Sequence, residues 1–390
     1  MRILFVADGR SPIALNWIAY FVDQGQEVHL VSTFPCEPAM QFASLNCVPV
    51  AFSQVKGQGI GEKGRGVLLE ALGLRARTAV RQAFGVLTVP QAARRLRPIV
   101  AAIQPDLIHA MRVPYEGMLA AGALRAFPGL PLLVSAWGND FTLHAASNPW
   151  MGSATRRTLA RANALHVDCQ RDLRLAHHWG YHKENPAIVL PGNGGVQTDI
   201  FYPPEGERSA ETVINPRGFR AYVRNDTFFQ AIPMVLARRP GVKFICPAMA
   251  DEPRARRWLD ELGIAEAVEL LPTLSRTQMA DLFRRATLAV SPSTHDGTPN
   301  TLLEAMACGC FPIAGDLESL REWIIPGVNG LLVDPGDPRA LADAILTALE
   351  QPELRRGAVS HNLNLIAERA EHSKVMVEAQ YFYQSNWEAT

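Results

Sequence analysis

The sequence contains no C-x-x-C pair, no D-x-D pair and no excess of either charge, since 38 Lys+Arg balance 38 Asp+Glu. It also lacks any run of the ~18 apolar residues needed to span a bilayer. Each absence excludes something. The six cysteines (Cys36, Cys47, Cys169, Cys246, Cys308, Cys310) are scattered and read as reduced core residues of a cytoplasmic protein. Cys308-Gly-Cys310 offers two thiols, which alone make a poor metal site. Balanced charge leaves no global field to draw nucleic acid, so none is expected as a partner. The opening MRILFVADG reads as a short buried strand, too brief for a signal h-region and without a small-residue cleavage site.

What is present points to a large α/β enzyme. At 390 residues the chain exceeds the ~250–300 at which single cores stop growing, so two domains are expected. Strand-like apolar runs at 2–7, 28–32, 48–52, 107–110 and 131–136 alternate with helical patterns in the first half. Runs at 187–190, 212–215, 243–246, 268–271 and 287–290 do so in the second. Such alternation predicts parallel sheets, with ligands at the carboxyl ends of the strands. The expected domains are 1–185 and 186–373, with a hinge near Asn185-Pro186.

The most informative stretch is SPSTHDGTPNTLLEAMACGCFPIAGD, residues 291–316. An apolar strand ends near Val290, a loop of small and polar residues follows, and Thr298-Pro299 reads as an N-cap with proline in the first turn. Leu302, Leu303, Ala305 and Met306 continue a helix that Gly309 stops. The amides of Asn300, Thr301 and Leu302 would face the loop, where a phosphate gains hydrogen bonds and the helix dipole. Asp296 approaches from the loop and Glu304 lies about one turn inside the helix. An anion flanked by two hydroxyl-accepting carboxylates describes a nucleotide sugar.

Asp296-x7-Glu304, followed by AMACGCFPIAGD and GVNGLLVDPGDPRALADAI (327–345), resembles the acid-x7-acid signature of retaining GT-B glycosyltransferases of the family 4 type. The resemblance implies two Rossmann-like, doubly wound domains facing across a cleft, with a last helix (374–390) crossing back to the acceptor-binding N-terminal domain. It implies that Glu304 holds the donor ribose and Asp296 touches the transferred sugar. Loop amides around Gly297 and Thr298 would bind sugar and diphosphate. In INPRGFRAYVRND (214–226), Arg217 matches the arginine that serves the diphosphate. Tyr222 stands where a lysine is usual, so the second cationic role passes to Arg224, with Arg220 next in line. Thr273, after the strand at 268–271, would meet the nucleotide base. The implied reaction is metal-independent transfer, with retention, from a UDP- or GDP-linked sugar. The acceptor would be a sugar, a lipid-linked molecule or a small molecule, as in polysaccharide or glycoconjugate synthesis. No cofactor is expected. A catalytically silent subunit of the same fold is the alternative.

On the acceptor side, LLVSAWGNDF (132–141) resembles a W-G-[SN]-D branch of the family, in which Asp140 lines the cleft. A turn at Asn139-Asp140 capping the next helix fits equally well. Arg10, His109 and Arg112 lie near strand ends, although His109 reads equally as a core histidine. Residues 63–97 carry Lys63, Arg65, Arg75, Arg77, Arg81, Arg94, Arg95 and Arg97 against Glu70 alone. Interleaved with apolar stretches, they suit an anionic membrane surface at the inner face or a phosphorylated acceptor; a solvated amphipathic face fits as well. Two further signals are set aside. Gly59-Ile-Gly61-Glu-Lys-Gly64 does not open the first βα unit as a dinucleotide fingerprint must. His177, His178 and His182 are interrupted by Gly180 and show no third-ligand geometry.

Overall fold

In the computed structural model, residues 1–51, 53, 84–206, 208 and 211–387 are described. The chain divides into two units, Met1–Gly194 with Met376–Thr390, and Gly195–Val375.

The first unit carries seven strands, β1 (Arg2–Ala7), β2 (Glu27–Ser32), β3 (Ser44–Cys47), β4 (Leu107–Ala110), β5 (Leu132–Ala136), β6 (Ala164–Val167) and β7 (Ala187–Val189). They pair in parallel in the order β3-β2-β1-β4-β5-β6-β7. The second carries β8 (Thr212–Ile214), β9 (Lys243–Cys246), β10 (Val268–Leu270), β11 (Leu288–Ser291), β12 (Phe311–Gly315) and β13 (Leu331–Val333), again parallel, ordered β10-β9-β8-β11-β12-β13. Each sheet reverses winding direction once, between β1 and β4 and between β8 and β11. Ligands of open parallel sheets bind at such switch points.

Alternation along the strands explains the layers. Val213, Phe244, Leu288, Val290, Phe311 and Ile313 join one core with the helices Asn225–Arg238 and Pro338–Glu350. Their neighbours Ile214, Ile245, Ala289 and Ala314 join another with Arg276–Arg285 and Asn300–Ala307. Both faces of the sheet are therefore covered, which is why the strands read as continuous apolar runs. In the first unit, Leu4 and Val6 pack with the helix Val89–Ile103, while Phe5 meets Phe21 and His109 on the opposite side.

Several expectations need correction. The third strand is Ser44–Cys47 and not 48–52. Val48 and Val50 are buried, but Pro49 between them has no N–H to give a ladder. β6, β12 and β13 were not anticipated; Pro312 and Gly315 hide β12, and β13 has three residues. The run at 187–190 was expected to open the second domain. It is β7 instead, hydrogen-bonded to β6, so the division falls at Gly194–Gly195 and not at Asn185-Pro186. The chain from Met376 returns to the first unit, where Tyr383 stacks on Phe21 at 4.5 Å and accepts from Trp17 Nε1 at 3.2 Å. Among the described residues, no helix is long and apolar enough to cross a membrane.

Candidate functional site

The second unit gathers its chemistry at the carboxyl ends of β8 and β11. Past β8, Asn215 Nδ2 donates to Asn225 Oδ1 (2.9 Å), and Asn225 Nδ2 donates to the carbonyl of Gly218 (3.0 Å). Gly218 has φ +61°, a left-handed conformation that suits glycine. The loop so folded is sewn to the one following β11. Thr294 N and Oγ1 both donate to the Tyr222 carbonyl (2.8 and 3.1 Å), and Arg224 N donates to that of Pro292 (2.9 Å).

This stitching places Arg217 against Asp296, with Nη2 2.7 Å from Oδ2 and both residues buried. Arg217 Nη1 reaches Thr301 Oγ1 at 3.3 Å. Burial works against the guanidinium charge, but Asp296 and Tyr222 beside it outweigh that and hold the proton more firmly. Two buried polar atoms here have no protein partner, Arg217 Nε and Asn300 Oδ1. A buried donor and a buried acceptor left open beside a charged pair invite a polar ligand.

The helix Asn300–Ala307 begins one residue later than the expected cap. Pro299 (φ −74°, ψ 116°) is the cap residue and lends no side chain. Thr298 Oγ1 instead accepts from Trp323 Nε1 at 3.0 Å. The Leu302 amide is also engaged, donating to the Pro299 carbonyl at 3.0 Å. Asn300 and Thr301 therefore carry the first-turn amides that lack an intrahelical acceptor. Gly297 is buried in the same loop. Glu304, on the helix, has a side chain only 13% exposed, 3.9 Å from Arg276. Burial pushes its carboxyl up to about 7, with Arg276 pulling the other way. Thr273 is exposed beyond β10.

Arg224 does not join this group. It lies at the cap of the helix Asn225–Arg238, and its Nε and Nη2 fork onto Asp226 at 2.9 Å each. A carboxylate two residues away captures it more readily than an uncompensated site could. Arg220 is held toward the site, donating from Nε to the Arg217 carbonyl (3.1 Å) and from Nη1 to the Tyr222 hydroxyl (3.2 Å).

In the first unit, three expected residues come together. Asp140, buried, accepts on Oδ1 from Arg112 Nε (3.1 Å) and Nη2 (2.7 Å), and on Oδ2 from the amides of Val113 and Trp137 (3.2 Å each). Asn139 Oδ1 accepts from Arg112 Nη2 at 3.0 Å. Asp140 thus holds the ends of β4 and β5 together, while the Arg112 side chain stays 32% exposed. Arg10 pairs with Asp8 at 2.9 Å and lies over the Phe34 ring.

His109 is not an acceptor residue. It is fully buried in a hydrogen-bonded chain that runs Trp17–Tyr383–His109–Ser135–His166–Leu190. The direction of that chain follows from its ends. His166 Nε2 must donate to the Leu190 carbonyl, so its Nδ1 accepts from Ser135. Ser135 then accepts from His109 Nε2, His109 Nδ1 accepts from Tyr383, and Tyr383 accepts from Trp17. Burial holds both imidazoles neutral, lowering His166 to about 4 and His109 well below the usual histidine range.

Sequence reasoning missed the brace beneath Asp140. Asp168 Oδ2 accepts from Gly138 N (3.2 Å), and Arg171 donates to the Gly138 carbonyl (2.8 Å) and to Asp172 (2.7 Å). Asp168, Cys169 and Asp172 are the group among the described residues spaced as metal ligands. Arg171 already supplies the cation there, and burial pushes the Cys169 thiol up, away from the thiolate a metal needs. The alternating Asp168, Arg171 and Asp172 follow β6, itself unanticipated. Of the basic segment, Lys63, Arg65, Arg75, Arg77 and Arg81, like the glycines at 59–64, lie outside the described residues. Arg94, Arg95 and Arg97 sit on the helix Val89–Ile103.

Two doubly wound parallel sheets, one bearing an arginine–carboxylate pair beside a helix start at its switch point, match the GT-B class. Residues 9–192 match the family model described as "Glycosyl transferase 4-like domain", and residues 219–351 match "Glycosyl transferases group 1". The chain belongs to the GT4-type glycosyltransferases. It is 39% identical over 199 residues to the D-inositol 3-phosphate glycosyltransferase of Thermobispora bispora, covering 45% of this chain and 46% of that one. The chain thus spans about half the length of the curated relatives it matches. Among solved structures it resembles sucrose-phosphate synthase from Thermosynechococcus elongatus (TM-score 0.76, 16% identity, 100% of both chains). It also resembles Anabaena HepE in complex with UDP (TM-score 0.73, 15% identity, 99% of this chain and 100% of that one). At these identities the likeness is one of fold.

Proposed function

We propose that this protein transfers a sugar from a UDP- or GDP-linked donor to an acceptor hydroxyl, with retention and without a metal. The observation that carries the reading is the meeting of Arg217 and Asp296 at 2.7 Å beside the first turn of Asn300–Ala307, with Glu304 on the same helix. In the reaction the bond from the sugar's C1 to the phosphate oxygen breaks and its electron pair stays on that oxygen. The acceptor oxygen bonds C1, and the acceptor's proton is released with the nucleoside diphosphate. Negative charge grows on the diphosphate, where Arg217 and the amides of Asn300 and Thr301 stabilise it; preorganised charge of this kind is often the largest catalytic contribution. Glu304 accepts from the ribose hydroxyls and Asp296 from the transferred sugar.

Arg112 and Asn139, braced by Asp140, are the proposed acceptor contacts. The curated relatives are named for D-inositol 3-phosphate, which makes that anionic polyol the first member of an acceptor panel, with simple sugars and lipid-linked sugars beside it. The test measures binding of UDP, GDP and their sugars by calorimetry, then donor turnover with and without acceptors, with and without a chelator. Binding without turnover on any acceptor would point to a silent subunit, and loss of turnover with chelator would end the metal-free reading.

Peripheral contact with an anionic membrane belongs to the same proposal. Phe84 and Leu87 are 51% and 65% exposed, and Arg94 and Arg95 are exposed on the helix that follows. Apolar wedges beside arginines suit acidic headgroups, each cation contributing about 1 kcal/mol. Equal sedimentation with acidic and neutral vesicles would remove the contact.

A further inference from the structure

The cationic loop of the donor site contains one hydroxyl that the reading above does not use. Tyr222 takes the place at which the resemblance puts a lysine, and its backbone is fixed by both bonds from Thr294 to its carbonyl. Its phenolic oxygen accepts from Arg220 Nη1 at 3.2 Å, and the Arg217 guanidinium stands beside the same hydroxyl. Guanidinium groups have donors only, so the oxygen serves them as acceptor and its own proton must point elsewhere. The residue is only partly buried beside Arg217, whose buried Nε is open. Meanwhile Arg224, the other cation of the loop, is committed to Asp226.

We infer that Tyr222, polarised by Arg220 and Arg217, donates a hydrogen bond to the terminal phosphate of the nucleoside diphosphate and does the work of the missing lysine. The inference rests on the donor reading of this site. Tyr222 keeps its proton throughout; the phosphate oxygen that receives the electron pair of the broken bond gains a hydrogen bond and not a proton. A hydroxyl flanked by cations is a stronger donor than an isolated phenol, since the neighbouring charges favour density on its oxygen. Recognition by a neutral donor also differs from a lysine's, because its strength follows geometry more than charge.

The test compares wild type with Tyr222→Phe, Tyr222→Lys and Arg220→Gln, titrating each with UDP, UMP, GDP and GMP. Phenylalanine keeps the ring and removes only the hydroxyl, so the fold is spared. The expected result is a loss of roughly ten- to a hundredfold in affinity for the bound diphosphate in Tyr222→Phe, the range of one hydrogen bond to a charged group. The monophosphate should bind with little change, Tyr222→Lys should keep the diphosphate preference, and Arg220→Gln should lose part of it. In turnover, kcat should fall more than KM rises in Tyr222→Phe. Equal loss on mono- and diphosphate, or no loss on either, would overturn the assignment while leaving the donor reading intact. Failure of the wild type to bind either diphosphate would overturn both.

Discussion

Arg217 and Asp296 neutralise one another at 2.7 Å. A diphosphate must therefore compete with a resident carboxylate for the same guanidinium. Asp296→Asn is expected to tighten binding of the free nucleoside diphosphate while lowering sugar transfer, because it removes the competitor and the sugar contact together. Calorimetry against turnover on the same variant checks this. Weaker diphosphate binding would show that Asp296 only orients Arg217. Asp296→Ala, which strands the buried arginine, should cost about 3–5 kcal/mol of stability.

Glu304 should make stability fall with rising pH. Its carboxyl is raised to about 7 from 4.5, so between those values the folded protein holds a proton that the unfolded chain has released. The stabilising difference is present at low pH and lost as pH climbs through 7. Glu304→Gln should therefore gain in melting temperature over wild type at pH 8.5 and not at pH 5.5. The same variant should abolish any proton release that wild type shows on binding diphosphate at pH 7. Glu304→Ala should weaken diphosphate binding by about 1–3 kcal/mol.

The buried chain through His109, Ser135 and His166 acts in the opposite sense. Both imidazoles are depressed in the folded state, and the unfolded chain takes up their protons first. Stability is then lost as pH falls from about 6.5 toward 4. Ser135→Ala leaves His166 Nδ1 and His109 Nε2 without partners, at a cost of about 1–3 kcal/mol for each. Thermal melts from pH 4.5 to 7.5 check both statements, and a flat profile would mean that the histidines find water.

Gly315 ends β12 under the donor loop. A Cβ there would lie 2.3 Å from the carbonyl of Ser293, so Gly315→Ala must push the loop that carries Asp296. Diphosphate affinity should drop severalfold while far-ultraviolet circular dichroism stays as in wild type. Unchanged affinity would show that the loop yields without moving Asp296.

How much of this was legible in the sequence depended on distance along the chain. The donor loop could be read because Asp296, the helix start and Glu304 fall within one continuous stretch. Arg217 needed the resemblance, since 79 residues separate it from Asp296 and no periodicity links them. Arg224 was read from its position in the motif, and nothing in the sequence signalled that it would fork onto Asp226 two residues away. Thr298 looked like a cap because nothing local reveals Trp323 as a competing donor. His109 looked available because Tyr383, its partner, lies 274 residues downstream. Edge and short strands such as β3 and β13 escaped because they alternate with polar residues or end before a pattern can repeat.

The return of the chain at Met376 also sets an order of events during synthesis. The first unit's buried chain runs from Trp17 to Tyr383 and beyond, so its core has a gap until the whole of the second unit has been translated. Gly195–Val375 can complete its own sheet while the ribosome still holds the last helix. The unit made first is thereby finished last, and its unfilled face beside Trp17 and Phe21 is open for the longest time to a chaperone or to another nascent copy.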